Sequence, residues 1–279
     1  MSKLLICSEP DLPSVNMKNS LFSIMEWEVL DSDNYSRFYQ HEDMVVLSTP
    51  DMHIYTDCID ELAEKHGIKV DNVIFMSKHS SASGEPALTV HPIGNYHENS
   101  LGGKIQTLVK PMPALMTDAL RRIVRYNDMT EFQTCFEVTH HGPWLDKPTM
   151  FIEIGSDDRN WGNLHAAKIL AYVLKDVKAN DYPTIVGVGG GHYAPRFTEV
   201  ALKYKVNFGH MLPNYQLDNR DDEDIVRMIK DACNVSDTKI VYIHKNSMKK
   251  PQEKHITSII ESCGFEHISS KDMELINEN

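Results

Sequence analysis

Short apolar runs rich in β-branched residues alternate along the chain with amphipathic stretches, and this alternation constrains the fold more than any other feature. Runs at residues 3–8, 44–48, 73–76, 87–91, 132–139, 150–155, 184–188, 206–211 and 239–244 read as strands. Several are almost continuously apolar, as parallel strands buried on both faces must be. Helical spacing occurs at 55–66, 112–126, 163–178, 195–204, 221–231 and 252–263. Leu164, Lys168, Ile169, Tyr172 and Val173 show it well. The pattern predicts an α/β fold with a mixed, mainly parallel sheet flanked by helices. It is read as a single domain over 1–279, with any subdivision near 127–131. The segment 80–110 is rich in glycine and proline, and a loop of that length in an ordered domain is usually functional.

At 41% hydrophobic and 24% charged, the chain has ample apolar material for a core, which excludes a disordered protein. No apolar run approaches ~18 residues, so no membrane span is expected. The opening run from Leu4 to Cys7 is too short for a signal peptide. Five scattered cysteines without a CxxC pair indicate neither a disulfide framework nor a thiolate zinc site. A cytoplasmic protein is expected. The net charge of −12 argues at first sight against a polyanionic partner.

Histidine is the compositional outlier, with fourteen residues. His41, His66, His255 and His267 lie among polar neighbours and read as surface positions. Others end apolar runs, where open α/β sheets bind ligands. The strand at 184–188 runs into Gly189-Gly190-Gly191-His192-Tyr193-Ala194-Pro195-Arg196. Consecutive glycines let backbone amides approach a ligand and form an anion or oxyanion nest, and Pro195 suits the first turn of a helix. Neither a dinucleotide fingerprint nor a phosphate loop is present.

A second segment, Glu137-Val138-Thr139-His140-His141-Gly142-Pro143, ends a strand in paired histidines. Strand alternation would send them to opposite faces unless the chain turns there. In a third, His79 precedes the Ser80, Ser81 and Ser83 loop, and His91 closes the following run. Glu153 interrupts an apolar strand; it reads as a base, a metal ligand, an orienting partner or an edge residue facing water. His210 reads foremost as a satisfied core histidine. The absence of H-E-x-x-H and G-x-S-x-G excludes helix-borne zincins and serine α/β hydrolases as simple matches. Any metal ligands would come from His79, His91, His140, His141, Glu137, Glu153, His192 and His210, a thiolate-free set suited to catalytic zinc.

The sequence resembles the archaeal and plant type of D-aminoacyl-tRNA deacylase at the glycine turn through Phe197. The likeness extends to Cys7-Ser8-Glu9-Pro10-Asp11, Ser77-Lys78-His79, Glu137 to Pro143, Ile152 to Ser156, and Phe208-Gly209-His210. The resemblance implies a cytoplasmic, monomeric, zinc-dependent hydrolase. Its fold would be akin to peptidyl-tRNA hydrolases and nucleoside phosphorylases. It would cleave the ester between a D-amino acid and the terminal adenosine of tRNA. On that basis His79, His140, His141 and His192 hold Zn²⁺ or act as base, with His192, His140, Glu137 and Glu153 in the chemistry. Gly189, Gly190, Gly191, Tyr193, Arg196, Ser81, His91 and His210 are expected against substrate. A small-molecule amidohydrolase or peptidase, or a non-catalytic tRNA-binding module, are the competing classes.

With tRNA in view, the charge distribution matters more than its total. Residues 1–100 carry −10, 101–200 carry 0 and 201–279 carry −2. Arg121, Arg122, Lys245, Lys249 and Lys250 are therefore candidate phosphate contacts in the less acidic part.

Overall fold

All nine runs expected as strands form strands in the computed structural model, which describes residues 2–32 and 35–276. The first third contains β1 (Lys3–Ser8), α1 (Leu12–Ile24), β2 (Glu28–Ser32), β3 (Arg37–His41), β4 (Met44–Thr49), α2 (Ile59–Lys65), β5 (Asn72–Lys78) and β6 (Ala87–His91). A short ribbon follows, β7 (Gly94–Asn95) with β8 (Thr107–Leu108), then α3 (Pro113–Tyr126), β9 (Gln133–Phe136), β10 (Thr149–Gly155), the short α4 (Asp158–Trp161) and α5 (Leu164–Asp176). The last third holds β11 (Thr184–Val188), α6 (Pro195–Lys203), β12 (Asn207–Leu212), the short α7 (Asn214–Leu217), α8 (Asp222–Val235), β13 (Ile240–Ile243), α9 (Lys250–Ser262) and β14 (Glu266–Ile268).

Two principal sheets result, rather than the one expected. The larger is ordered β2-β3-β4-β1-β5-β10-β6-β9, and the smaller β12-β11-β13-β14. In the larger sheet β4, β1, β5 and β10 are mutually parallel, while β6 lies antiparallel to β10. The smaller sheet is parallel throughout. A mixed, mainly parallel α/β architecture flanked by helices is what the alternation predicted.

Period-two alternation sorts the side chains of the large sheet onto two faces. Leu5, Cys7, Ile74, Met76, Met150, Ile152 and Ile154 point to one side, into a core shared with α1, α3 and α5. Leu4, Ile6, Val73, Phe75 and Phe151 point to the other, against Ile59 and Ala63 of α2. The small sheet divides similarly, except that an irregularity in the β11–β12 register brings both Phe208 and Met211, three positions apart, to one side. Ile185, Phe208, Met211 and Tyr242 join the first core, whereas Val186, Val188, Leu212, Val241 and Ile243 pack with residues of α8 and α9. The first core thus belongs to both sheets. Among the described residues, no helix is long and apolar enough to cross a membrane.

Candidate functional site

Alternation also decides where the polar strand residues go. In β10, Phe151 faces the second side of the large sheet, so Glu153 two residues on must do the same. Register places Glu153 beside Ser77 of β5 and Thr89 of β6, and Phe151 beside His91. Glu137, just past β9, donates its amide to Val90 O, so its position adjoins His91. All of these are buried. Because β10 lies between β5 and β6, the edge-strand reading of Glu153 is ruled out.

The paired histidines reach the same place because β9 stops at Phe136, earlier than the run predicted, and the chain turns. His141 adopts φ 44°. The rings of His91, His140 and His141 stand close, with centroids 4.2 Å apart for His91–His140, 4.4 Å for His140–His141 and 5.0 Å for His91–His141. Phe151 forms the floor beneath His91 and His141. Each ring turns Nδ1 toward a backbone carbonyl: His91 to Pro92 at 3.1 Å, His140 to Val138 at 2.8 Å and His141 to Gly142 at 2.5 Å. In neutral His140 and His141, donation from Nδ1 leaves Nε2 with its lone pair free, the arrangement that metal-binding histidines require. Burial and the neighbouring His91 hold His140 and His141 well below the usual histidine range, so both are neutral imidazoles.

Beside this trio lies a charged network. Glu137 Oε2 accepts from His192 Nε2 at 2.8 Å and from His79 Nδ1 at 3.0 Å. Glu153 Oε2 lies 3.5 Å from His79 Nδ1 and 3.6 Å from His91 Nε2. Burial alone would raise both carboxyls, but hydrogen bonds from the histidines outweigh it: Glu137 sits well below the carboxylate range and Glu153 is held down to about 2. Burial opposes the His79 cation, yet the same two carboxylates push it up to about 10. His91 is likewise raised, Glu153 outweighing its complete burial. Tyr193 Oη sits 2.9 Å from His79 Nε2, and Trp161 Nε1 donates to His79 O. His192 differs from the rest, since 39% of its side chain is exposed. A cleft of about 260 Å³ opens over the network, lined by His53, Lys78, His79, Ser80, His140, His141, Glu153 and His192 among others.

Three combinations bring metal-ligand atoms within 4.8 Å of one another: His91, His140 and His141; His79, Glu137 and His192; and His91, Glu137 and Glu153. The four histidines expected to act together therefore divide between two of these groups, and His91, expected against substrate, joins the ligand-type trio.

Other expectations move elsewhere. His210 is a core residue, bonding Thr139 Oγ1 at 3.0 Å and Val109 O at 2.9 Å. The amides of Gly189 and Gly190 are already donated, to Leu212 O and Ser247 Oγ, so those two cannot form the expected oxyanion nest in this arrangement. Ser81 donates its amide to Ser156 O and its hydroxyl lies against Ser83, while Ser80 lines the cleft. Arg121 gives its guanidinium to the carbonyls of Ala201, Tyr204 and Val206, which makes it a clamp between α3 and the α6–β12 connection. Arg122 pairs with Asp118 of its own helix at 2.6 Å. Lys249 and Lys250 are exposed at the start of α9, and Arg196 and Lys245 line a separate cleft.

Sequence reasoning missed His53, and it named Asp11 in the Cys7-to-Asp11 segment of the resemblance without giving it a role. His53 Nε2 lies 2.7 Å from Ser77 Oγ, and its Nδ1 is 3.7 Å from Asp11 Oδ2. Asp11 caps α1 by accepting from Ser14 N and also accepts from Lys78 N, tying the end of β1 to the end of β5. A local sign of its capping role is its place one residue before a proline-containing helix start.

Comparison with known proteins places the chain in a family. The model of the D-aminoacyl-tRNA deacylase family matches residues 66–268. This chain belongs to that family. A D-aminoacyl-tRNA deacylase of Archaeoglobus fulgidus is 34% identical over 98% of this chain and 98% of its own length. One from Methanococcoides burtonii is 33% identical over 98% of this chain but 58% of its own length, so this chain spans under two thirds of that longer relative. The crystal structure of a conserved protein of unknown function superposes with a TM-score of 0.87 at 33% identity, covering 99% of both chains. That structure shares the fold across nearly the whole chain, both sheets included.

Proposed function

We propose that the protein hydrolyses the ester bond of D-aminoacyl-tRNA, releasing the free D-amino acid and tRNA. The observation that carries this reading is the Glu137–His192 pair: a fully buried carboxylate holds one nitrogen of a half-exposed imidazole at the mouth of a histidine-lined cleft. Ester hydrolysis needs a base for water, a proton for the departing ribose oxygen and stabilisation of a tetrahedral oxyanion. His192 is the group in the network with access to solvent. Glu137 fixes its Nε2, so Nδ1 is the nitrogen left to take a proton from water and return it to the ribose oxygen, and the carboxylate stabilises the imidazolium in between. His79 is clamped as a cation between Glu137 and Glu153, which anchors both carboxylates rather than exchanging protons at neutral pH.

The residues fit a zinc ion. His91 Nε2 and Glu137 Oε1 are buried and have no hydrogen-bond partner among the described residues. The trio of His91, His140 and His141, each anchored through Nδ1, would hold the ion, and Glu153 would stabilise positive charge at His91. Bound there, zinc would supply a Lewis acid for the ester carbonyl and for water.

Incubation of the protein with D-tyrosyl-tRNA and with L-tyrosyl-tRNA tests the reading: D-tyrosine is released and the L-ester survives. His192→Ala and Glu137→Gln each lower kcat by about 10²–10⁴. Wild-type protein that leaves D-tyrosyl-tRNA intact, or variants that turn over normally, refute the function or the assignment respectively.

A further inference from the structure

A second cleft, of about 340 Å³, lies at the carboxyl ends of the small parallel sheet. Its lining includes Arg196, His244, Lys245, Asn246, Ser270 and Lys271. Arg196 follows the glycine turn after β11, His244 to Asn246 follow β13, and Ser270 and Lys271 follow β14. Three strand ends thus converge where open α/β sheets bind ligands. No carboxylate is among the lining residues, in a chain whose net charge is −12.

Arg196 is set in place rather than free. Its Nε donates to Tyr242 Oη at 2.8 Å, Nη1 to Glu199 at 2.7 Å and Nη2 to Ser270 Oγ at 3.0 Å. A guanidinium has five N–H groups, so two remain for a ligand, already oriented. Arg196 also sits in the first turn of α6, whose cap Ala194 offers no side-chain acceptor, so the helix dipole adds positive potential. Lys245 lies 3.5 Å from Glu253, and the exposed Lys271 lines the same cleft.

The glycine turn runs between the two clefts. Gly190 donates to Ser247 Oγ, and a Cβ at Gly190, where φ is +89°, would meet His244 Nδ1 at 3.3 Å. The same turn then delivers His192 to the first cleft. His192 and Arg196 are four residues apart, which bounds their Cα separation at about 14 Å, a few nucleotides of single strand.

We propose that this basic cleft binds phosphodiesters of the single-stranded acceptor end of the tRNA, while the terminal adenosine ester lies against His192. The assignment builds on the proposed deacylase reading and specifies how that substrate is held. Lys245→Gln combined with Lys271→Gln tests it on the full chain with D-tyrosyl-tRNA. The expected result is a KM raised about tenfold and a log KM against log salt slope shallower by about 1.4, about 0.7 for each single-strand phosphate that is no longer neutralised. Lys168→Gln with Lys175→Gln, on the exposed face of α5, controls for the removal of charge alone. An unchanged KM and slope in the cleft variant, or an equal change in the α5 variant, overturns the proposal. Competitive inhibition by inorganic phosphate with an unchanged salt slope assigns the cleft to a small anion and overturns it too. Wild-type protein that hydrolyses no D-tyrosyl-tRNA is a different failure, one of the deacylase reading itself.

Discussion

Histidines of one chemistry play four roles here, and burial together with the nearest charge separates them. His192 is half-exposed and held by one carboxylate, whereas His79 is buried between two. His140 and His141 are half-buried beside other histidines and stay neutral. His210 is buried with only neutral partners, Thr139 and Val109 O, and it isolates the cost of burial. In the unfolded chain it takes up a proton near 6.5, but in the folded protein burial holds it down to about 3. Between those values the unfolded state binds more protons, so this group removes stability as pH falls below about 6.5, at up to about 1.4 kcal/mol per pH unit. Urea unfolding at pH 7 and pH 5 should show wild-type protein losing about 2 kcal/mol more than His210→Gln. Equal losses would mean that His210 protonates freely in the folded protein. Sequence pattern set His210 apart as a core residue but does not separate the other roles, since those depend on partners remote in sequence: His79 meets Glu137 across 58 positions, and His192 meets it across 55.

Elements whose stability is written in their own residues were the legible ones. Interior strands announce themselves by continuous apolarity, and α3, α5 and α6 by a stripe of buried residues. α1 gave no such sign: its buried residues Pro13, Ser14, Met17 and Leu21 lie on one face but include a serine and a proline, so the face does not stand out as apolar. It is held instead by its Asp11 cap and by packing on α5 and β5. β2 and β14 were missed because edge strands need bury little, and β3, though interior, because Phe38 is its one fully buried residue; β2 reads EVLDS and β14 EHI. Glycine at the end of β10 shows how an element positions a side chain. A Cβ on Gly155 would stand 3.0 Å from His79 Cβ and 2.9 Å from its Cδ2. Gly155→Ala therefore displaces His79 from Glu137 and Glu153. Turnover is expected to fall on the order of 10²-fold, the cost of a shift near 1 Å, while stability falls by about 1–3 kcal/mol. Normal kcat in a folded Gly155→Ala protein would show that the position of His79 does not matter to the reaction.

At the scale of the molecule, the site is a seam between the two sheets. Val138 N donates to His192 O and Thr139 N to Met211 O, so the segment carrying His140 and His141 is stitched to the small sheet on its way to the large one. Glu137 and Tyr193 form a bridge across the same seam, and residues of both sheets share one hydrophobic core. Local sequence could reveal the strands and the histidine-bearing ends, but not that they divide into two sheets, because pairing is a choice among distant partners. A ligand held by the trio is coupled to this seam, since His140 and His141 keep their places only while the segment stays attached. Zinc at a hundredfold excess over its Kd should stabilise chelator-treated protein by about 2.7 kcal/mol, raising Tm by roughly 5 °C or more. His91→Ala and His140→Ala should abolish that rise. His192→Ala should retain it, because the trio without His192 supplies three nitrogens. A Tm rise that disappears in His192→Ala but persists in His91→Ala would move the ion to the group formed by His79, Glu137 and His192 and leave the trio without a metal role.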